Sequence, residues 1–213
     1  MRKSKTLLFL LLLSGFYLTA QTNDRAKKLL DQVSTKIGSF KTMTFDFDYV
    51  LENRQENIKQ ETNGSVTVSG DLYKLNFLGA EQLFDGKKTY TIVPENEEIT
   101  ISSVEEDDGF GINPSKLLYF YKEGYAFQWD IKQNVMGRNI QFIKLIPMDE
   151  NKDVKYLLLG IDTLRNTIYR LIEIGANETR TTLTISNFSS NVSLAANYFT
   201  FDASQYPEYY INQ

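Results

Sequence analysis

The sequence predicts an α+β fold, a single large curved antiparallel sheet accompanied by short helices, and three observations predict it. One stretch near the start, residues 24–37, repeats apolar side chains at helical spacing. After it the period drops from 3.6 to 2 and stays there for most of the chain. The alternating runs are short, evenly spaced and joined by turns. One short apolar segment, residues 113–124, interrupts them with the signals of a second helix.

The first twenty residues stand outside that fold. Arg2, Lys3 and Lys5 precede the apolar run Leu7–Leu13, and a small-and-polar stretch ends in Ala20. This is the layout of a secretory signal peptide, with a core too short for a spanning helix, which needs about 20 residues. Residues 1–20 are thus the leader and residues 21–213 the mature domain. The leader holds three of the 23 basic residues and none of the 27 acidic ones, leaving 20 against 27, a net charge of −7. An acidic exported chain is a poor partner for nucleic acid, whose binding needs cationic side chains to release counterions. No other apolar run is long enough to span a bilayer, so the mature protein is expected to be soluble.

The first mature element is a helix capped by Asp24. Ala26, Leu29, Leu30, Val33 and Ile37 share one face, Lys27, Lys28, Asp31 and Lys36 the other, and Gly38 ends it. Strand alternation then places Phe45, Phe47, Tyr49 and Leu51 on one face, opposite Asp46 and Asp48. Val66 and Val68 follow, and after the turn Ser69-Gly70-Asp71, Tyr73, Leu75 and Phe77 share a side. Further strands are read at 126–129, 140–146, 156–162, 167–173, 181–188 and 198–201. Between them, the acidic run Glu105–Asp108 and a Gly-Phe-Gly lead into "NPSKLLYFYKEGY". There Asn113 caps, Pro114 suits the first turn, and Gly124 stops a helix apolar on most of its circumference.

The segment "LFDGKKTYTIVP" contains a Gly-Lys-Lys-Thr that invites a phosphate-binding reading. A phosphate-cradling loop needs four residues between its glycine and its Gly-Lys, followed by Ser or Thr. Six separate Gly79 from Gly86, and Lys87 is followed by Lys88, so the motif fails on spacing and identity. Asp85-Gly86 instead suits a tight hairpin turn.

The chain has no Cys and no His. Disulfides, a thiol nucleophile, a lipid-attachment cysteine, histidine triads and histidine metal ligation are all excluded. Disulfide-poor export suggests a bacterial periplasm, where the four Asn-x-Ser/Thr triplets are simply polar turn and strand residues. The pairs Asp46/Asp48 and Glu97/Glu98 are the remaining candidates for acid–base or Ca²⁺ chemistry. Their positions read more simply as the wet side of half-buried strands, so no enzyme, cofactor or metal is expected.

Several pieces together resemble one family. "DGKKTYTIVP" resembles the Asp-Gly-Lys-x-x-aromatic stretch ending in Pro of the LolA-type periplasmic lipoprotein carriers. "GSVTVSGDLYKLNF" resembles their Gly-x-hydrophobic strand and the next strand, "NPSKLL" their lid helix, and "YFTF" their closing Phe-x-Phe strand. The likeness runs from about Asp24 to Phe201. It implies a half-open β-barrel whose mouth short helices close. It also implies a periplasmic carrier that takes acyl chains of lipoproteins released from the inner membrane and delivers them to the outer membrane. Two departures stand out: no basic residue replaces the family's lid-closing arginine near Ser69-Gly70-Asp71, and Tyr90 stands where Trp is usual.

On this reading the acyl-chain cavity is lined by Phe45, Phe47, Tyr49, Tyr73, Leu75, Phe77, Tyr90 and Ile92, with Leu30, Val33, Leu117 and Phe120 from the helices. Stripes of this kind equally form packed core, and register can invert along part of a strand. The implied partners are acylated lipoproteins, an inner-membrane release transporter and an outer-membrane receptor; the carrier would act as a monomer. No nucleotide motif is present, so loading would be driven by the membrane partner. A lipid or sterol binder, or a lipoprotein-sensing regulatory domain, would use the same cavity. The sequence ends on "FDASQYPEYYINQ", soon after the last strand read, which is expected to favour a free carrier over an anchored sensor.

Overall fold

A computed structural model describes residues 24–103, 115, 118–149 and 153–213. The expected leader 1–20, the acidic run 105–108 and residues 113, 114, 116 and 117 of the expected second helix, Leu117 included, lie outside these; the described residues 118–122 of that segment form a turn and a short 3₁₀ stretch at Phe120–Lys122 rather than a continuous helix. Helix α1 covers residues 24–38, and Ala26, Leu29, Leu30, Val33 and Ile37 are all buried. Asp24 is itself helical, so it does not occupy the expected capping position. No helix of the described residues is long and apolar enough to cross a membrane.

Twelve strands form one sheet: β1 (Met43–Asn53), β2 (Ile58–Ser69), β3 (Leu72–Phe77), β4 (Ala80–Phe84), β5 (Lys88–Val93), β6 (Glu98–Ser103), β7 (Tyr125–Val135), β8 (Arg138–Pro147), β9 (Val154–Asp162), β10 (Thr167–Gly175), β11 (Arg180–Ser190) and β12 (Tyr210–Asn212). Their order is β12-β6-β5-β4-β3-β2-β1-β11-β10-β9-β8-β7. Two meanders, β1–β6 and β7–β11, are therefore zipped together where β1 meets β11. Every pairing is antiparallel except the parallel contact of β12 with β6. The sheet does not close: β12 and β7 are its two edges. Register shifts at Thr44/Asp46, Trp129/Lys132 and Ile168/Arg170 mark bulges, which bend strands and increase their twist.

Turn chemistry differs from expectation at one hairpin. Two-residue turns with both φ values positive are not at Asp85-Gly86 but at Leu78-Gly79 (φ 52° and 77°), between the paired Phe77 and Ala80, and at Met136-Gly137 (φ 49° and 79°), between the paired Val135 and Arg138. The β4–β5 hairpin forms, yet four residues separate its last pair, Phe84 and Thr89, and only Gly86 has positive φ. The Asp85 carboxylate replaces the tight turn by accepting from the backbone N–H groups of Lys87 and Lys88, both at 2.8 Å.

The expected closing strand at 198–201 is absent; residues 196–199 form a turn. Both edges of β1 are already occupied, by β2 and β11, so this segment cannot pair there. Its aromatics pack instead on the convex face of the first meander. Phe201 stacks on Tyr90 (centroids 4.4 Å apart) and on Tyr206 (5.8 Å), and the Tyr198 hydroxyl meets Thr67 Oγ1 at 3.1 Å. The strap then reaches the outer edge as β12, a strand with no counterpart in the sequence reading.

Candidate functional site

Cross-strand pairing sorts side chains onto the two faces of the sheet. On the concave face one continuous row runs Tyr49–Leu183–Leu171–Leu159–Ile143–Trp129 across β1, β11, β10, β9, β8 and β7. The next row runs Leu51–Thr181–Glu173–Leu157–Leu145–Phe127. On the other side of β1, Phe45 pairs with Val66 and thence Leu75, and Phe47 with Gly64 and thence Phe77. Phe47 can lie flat on the sheet only because position 64 lacks a Cβ: an added one would stand 2.9 Å from Phe47 Cε1 and 2.6 Å from the Asn76 carbonyl oxygen. The Phe77 ring then meets those of Phe47 and Tyr49 at 5.4 and 5.2 Å.

Helix α1 lies across this face. Leu30, Val33, Phe45, Phe47, Tyr73, Leu75 and Phe77, all expected lining residues, belong to one buried cluster. Tyr49 and Phe120 are half-buried against it. At 1% exposure Tyr73 is packed interior, and its hydroxyl donates to the buried Gln82 Oε1 at 3.1 Å. The face stays partly accessible towards the β7 side, where Tyr125, Phe127, Trp129 and Leu171 are only half-buried. These four were not among the expected site residues. The alternation of Phe127 and Trp129 with Gln128 and Asp130 was a legible signal for two of them.

Tyr90 and Ile92 do not join this face. Tyr73 pairs with Phe84, and Phe84 with Thr89, so Tyr90 (paired with Leu83) and Ile92 (paired with Glu81) point to the convex side. Both faces of β5 are covered, one within the concave hollow and one by the C-terminal strap, so aromatic content alone does not choose between them. The Tyr90 hydroxyl donates to Asp85 Oδ2 at 3.0 Å.

The roof has a seam. A groove of about 430 Å³ separates α1 from the turn of 3₁₀-helix at Phe120–Lys122, lined by Leu30, Asp31, Ser34, Tyr121 and Phe127 among others. That volume falls in the usual range of about 300–1,000 Å³ for small-molecule pockets. Tyr121 is 2% exposed; Ser34 lies close to its hydroxyl, but among the described residues no well-formed hydrogen bond reaches it, and burial pushes its ionisation far above the usual tyrosine range. Arg25, from the start of α1, lies over the Trp129 ring at 4.4 Å, tying helix to sheet on the same side. Among the described residues, no cluster of three or more carboxylates could hold a metal ion. The arrangement can therefore shelter apolar chains, and its one carboxyl in the concave rows is Glu173.

No protein-family model matches the sequence, and no curated protein matches it. Solved structures do. An uncharacterized conserved protein from Thermus thermophilus superposes with TM-score 0.56 at 11% identity, covering 88% of this chain and 98% of its own. Lipoprotein LppX from Mycobacterium tuberculosis gives 0.53 at 11% identity, covering 81% and 98%. A LolA superfamily protein from Nitrosomonas europaea gives 0.43 at 10%, covering 83% and 97%. At such identities the likeness is one of fold alone, and here that fold is a curved open sheet with a helix laid across its hollow.

Proposed function

We propose that this chain is an exported, non-catalytic carrier that shelters the acyl chains of lipoproteins between the inner and the outer membrane. The observation that carries the proposal is the asymmetry of the concave face. Beneath α1 its side chains join one buried cluster. Towards β7 its apolar rows continue under half-buried Tyr125, Phe127 and Trp129, beside a roof seam lined by the buried Tyr121. Each buried methylene contributes about 0.8 kcal/mol, so a row of this length shelters a fatty chain effectively while an openable roof lets it leave. The leader read from the sequence supports a periplasmic setting. Loading and release would then rest on an inner-membrane transporter and an outer-membrane acceptor, since a carrier without a nucleotide site moves cargo only down an affinity gradient.

The test is affinity purification from periplasm followed by mass spectrometry of whatever extracts with the protein. Acylated lipoproteins are the expected finding, together with their accumulation at the inner membrane on depletion. Recovery of free lipids alone, with normal lipoprotein sorting, would replace this reading by that of a lipid-binding protein.

A further inference from the structure

The two concave rows contain eleven uncharged side chains and one carboxyl. Glu173 stands between Thr181 and Leu157, two residues along β10 from Leu171, and faces the hollow with them. It is half-buried, and no hydrogen bond or ion pair reaches it among the described residues. An acid in such a place is costly unless something satisfies it. Burial pushes its carboxyl above the usual range. The neighbouring Tyr125 phenol is raised by burial first and then by the charge of Glu173, which places the two groups within electrostatic reach of each other. Tyr125 belongs to the accessible side of the hollow, so the carboxyl sits where a guest's polar end would lie while its tail runs along the Tyr49–Trp129 row.

We infer that Glu173 is a headgroup subsite, accepting from a hydrogen-bond-donating head (an ammonium, a hydroxyl or an amide N–H) attached to the acyl chain, and rejecting phosphate. The inference rests on the carrier reading and sharpens it: the donors next to the fatty chains of a lipoprotein are those of its amino-terminal residue. A carboxylate accepts from such groups, whereas an anionic head would meet like charge in a poorly screened site.

Dodecylamine, dodecanol and dodecyl phosphate carry one tail and three heads. Titrated below their aggregation limits, they are followed by fluorescence of Trp129, the chain's single tryptophan, which lies on the same face. The wild-type chain is expected to bind the amine and the alcohol about tenfold or more tighter than the phosphate, the worth of one charge-assisted hydrogen bond. Glu173→Leu abolishes that preference while keeping tail binding, and Glu173→Gln keeps the alcohol and loses the advantage of the amine. Glu178→Gln, an exposed change of equal charge at the β10–β11 turn, leaves all three ratios alone. Unchanged ratios in Glu173→Leu, or an equal shift in Glu178→Gln, overturn the subsite and leave the carrier reading standing. Failure of the wild type to bind any of the three overturns both.

Discussion

Replacing Gly64 by Ala adds one methyl group at the point where the first meander is packed most tightly. The new Cβ would stand 2.6 Å from the carbonyl oxygen of Asn76, on the paired strand β3, and 2.9 Å from Phe47 Cε1. The ring can tilt; the backbone oxygen cannot move without disturbing the β2–β3 ladder. Overpacking typically costs about 1–3 kcal/mol, and a backbone contact puts this case in the upper half, about 2–3 kcal/mol. For a chain of this length each kcal/mol lowers Tm by about 2–4 °C, so a fall of about 4–12 °C is expected. Urea titration and thermal melting, both followed by far-UV circular dichroism, measure it. Adding Phe47→Leu should recover part of the loss but not all, because Asn76 stays in place. A Gly64→Ala chain within about 0.5 kcal/mol of wild type, the range of neutral surface changes, would refute the reasoning: the sheet would then be loose enough to yield, and the packed wall beneath α1 would not be rigid.

Tyr121→Phe removes a buried hydroxyl that has no well-formed hydrogen bond among the described residues, so it should stabilise the fold by about 1 kcal/mol; denaturant midpoints decide, and destabilisation would mean the phenol is satisfied, with the nearby Ser34 as its partner. Phe201→Ala breaks the stacks on Tyr90 and Tyr206 on the convex side. It should cost about 2 kcal/mol and leave dodecanol binding unchanged; lost binding would tie the strap to the hollow. Stability should also fall in acid. Burial raises the Asp162 carboxyl, but the Arg165 side chain at 2.7 Å and two backbone N–H donors outweigh it and hold it below its ordinary value. The stability this gives is complete above the unfolded carboxylate pKa of about 3.9 and is lost as pH drops through the lowered folded value. Asp162→Asn should flatten that part of the stability–pH curve. Glu173 has the opposite sign: its raised folded pKa means that ionisation costs stability as pH rises. Glu173→Gln should therefore be more stable than wild type at neutral pH, and equal stability would place the carboxyl in water.

Much of the molecule could be read in advance because its signals are local. The stripe Leu30/Val33/Ile37 and the alternations 45–51 and 73–77 each place a side chain within one element, where period alone assigns the face. These assignments agree with the structure, Phe45, Phe47, Tyr73, Leu75 and Phe77 included. Tyr90 and Ile92 show where that method stops. Along β5 the order Thr-Tyr-Thr-Ile-Val offers an apolar candidate to both faces, and only the pairing of Phe84 with Tyr73 fixes which is which. The 198–201 segment has good strand chemistry, but strands are made by partners, and both sides of β1 are already taken.

What the order of amino acids determined alone was the kind of elements, their sequence along the chain and one face of most of them, since these follow from backbone sterics and from the 2 and 3.6 periods. What only the tertiary structure decided was how two meanders join at β1 and β11. That junction sets which aromatics face the hollow, which lie under the C-terminal strap, and that Glu173 alone brings charge to the concave rows. Those outcomes depend on contacts between residues more than a hundred positions apart, such as Phe47 with Ile185, and no local pattern records them.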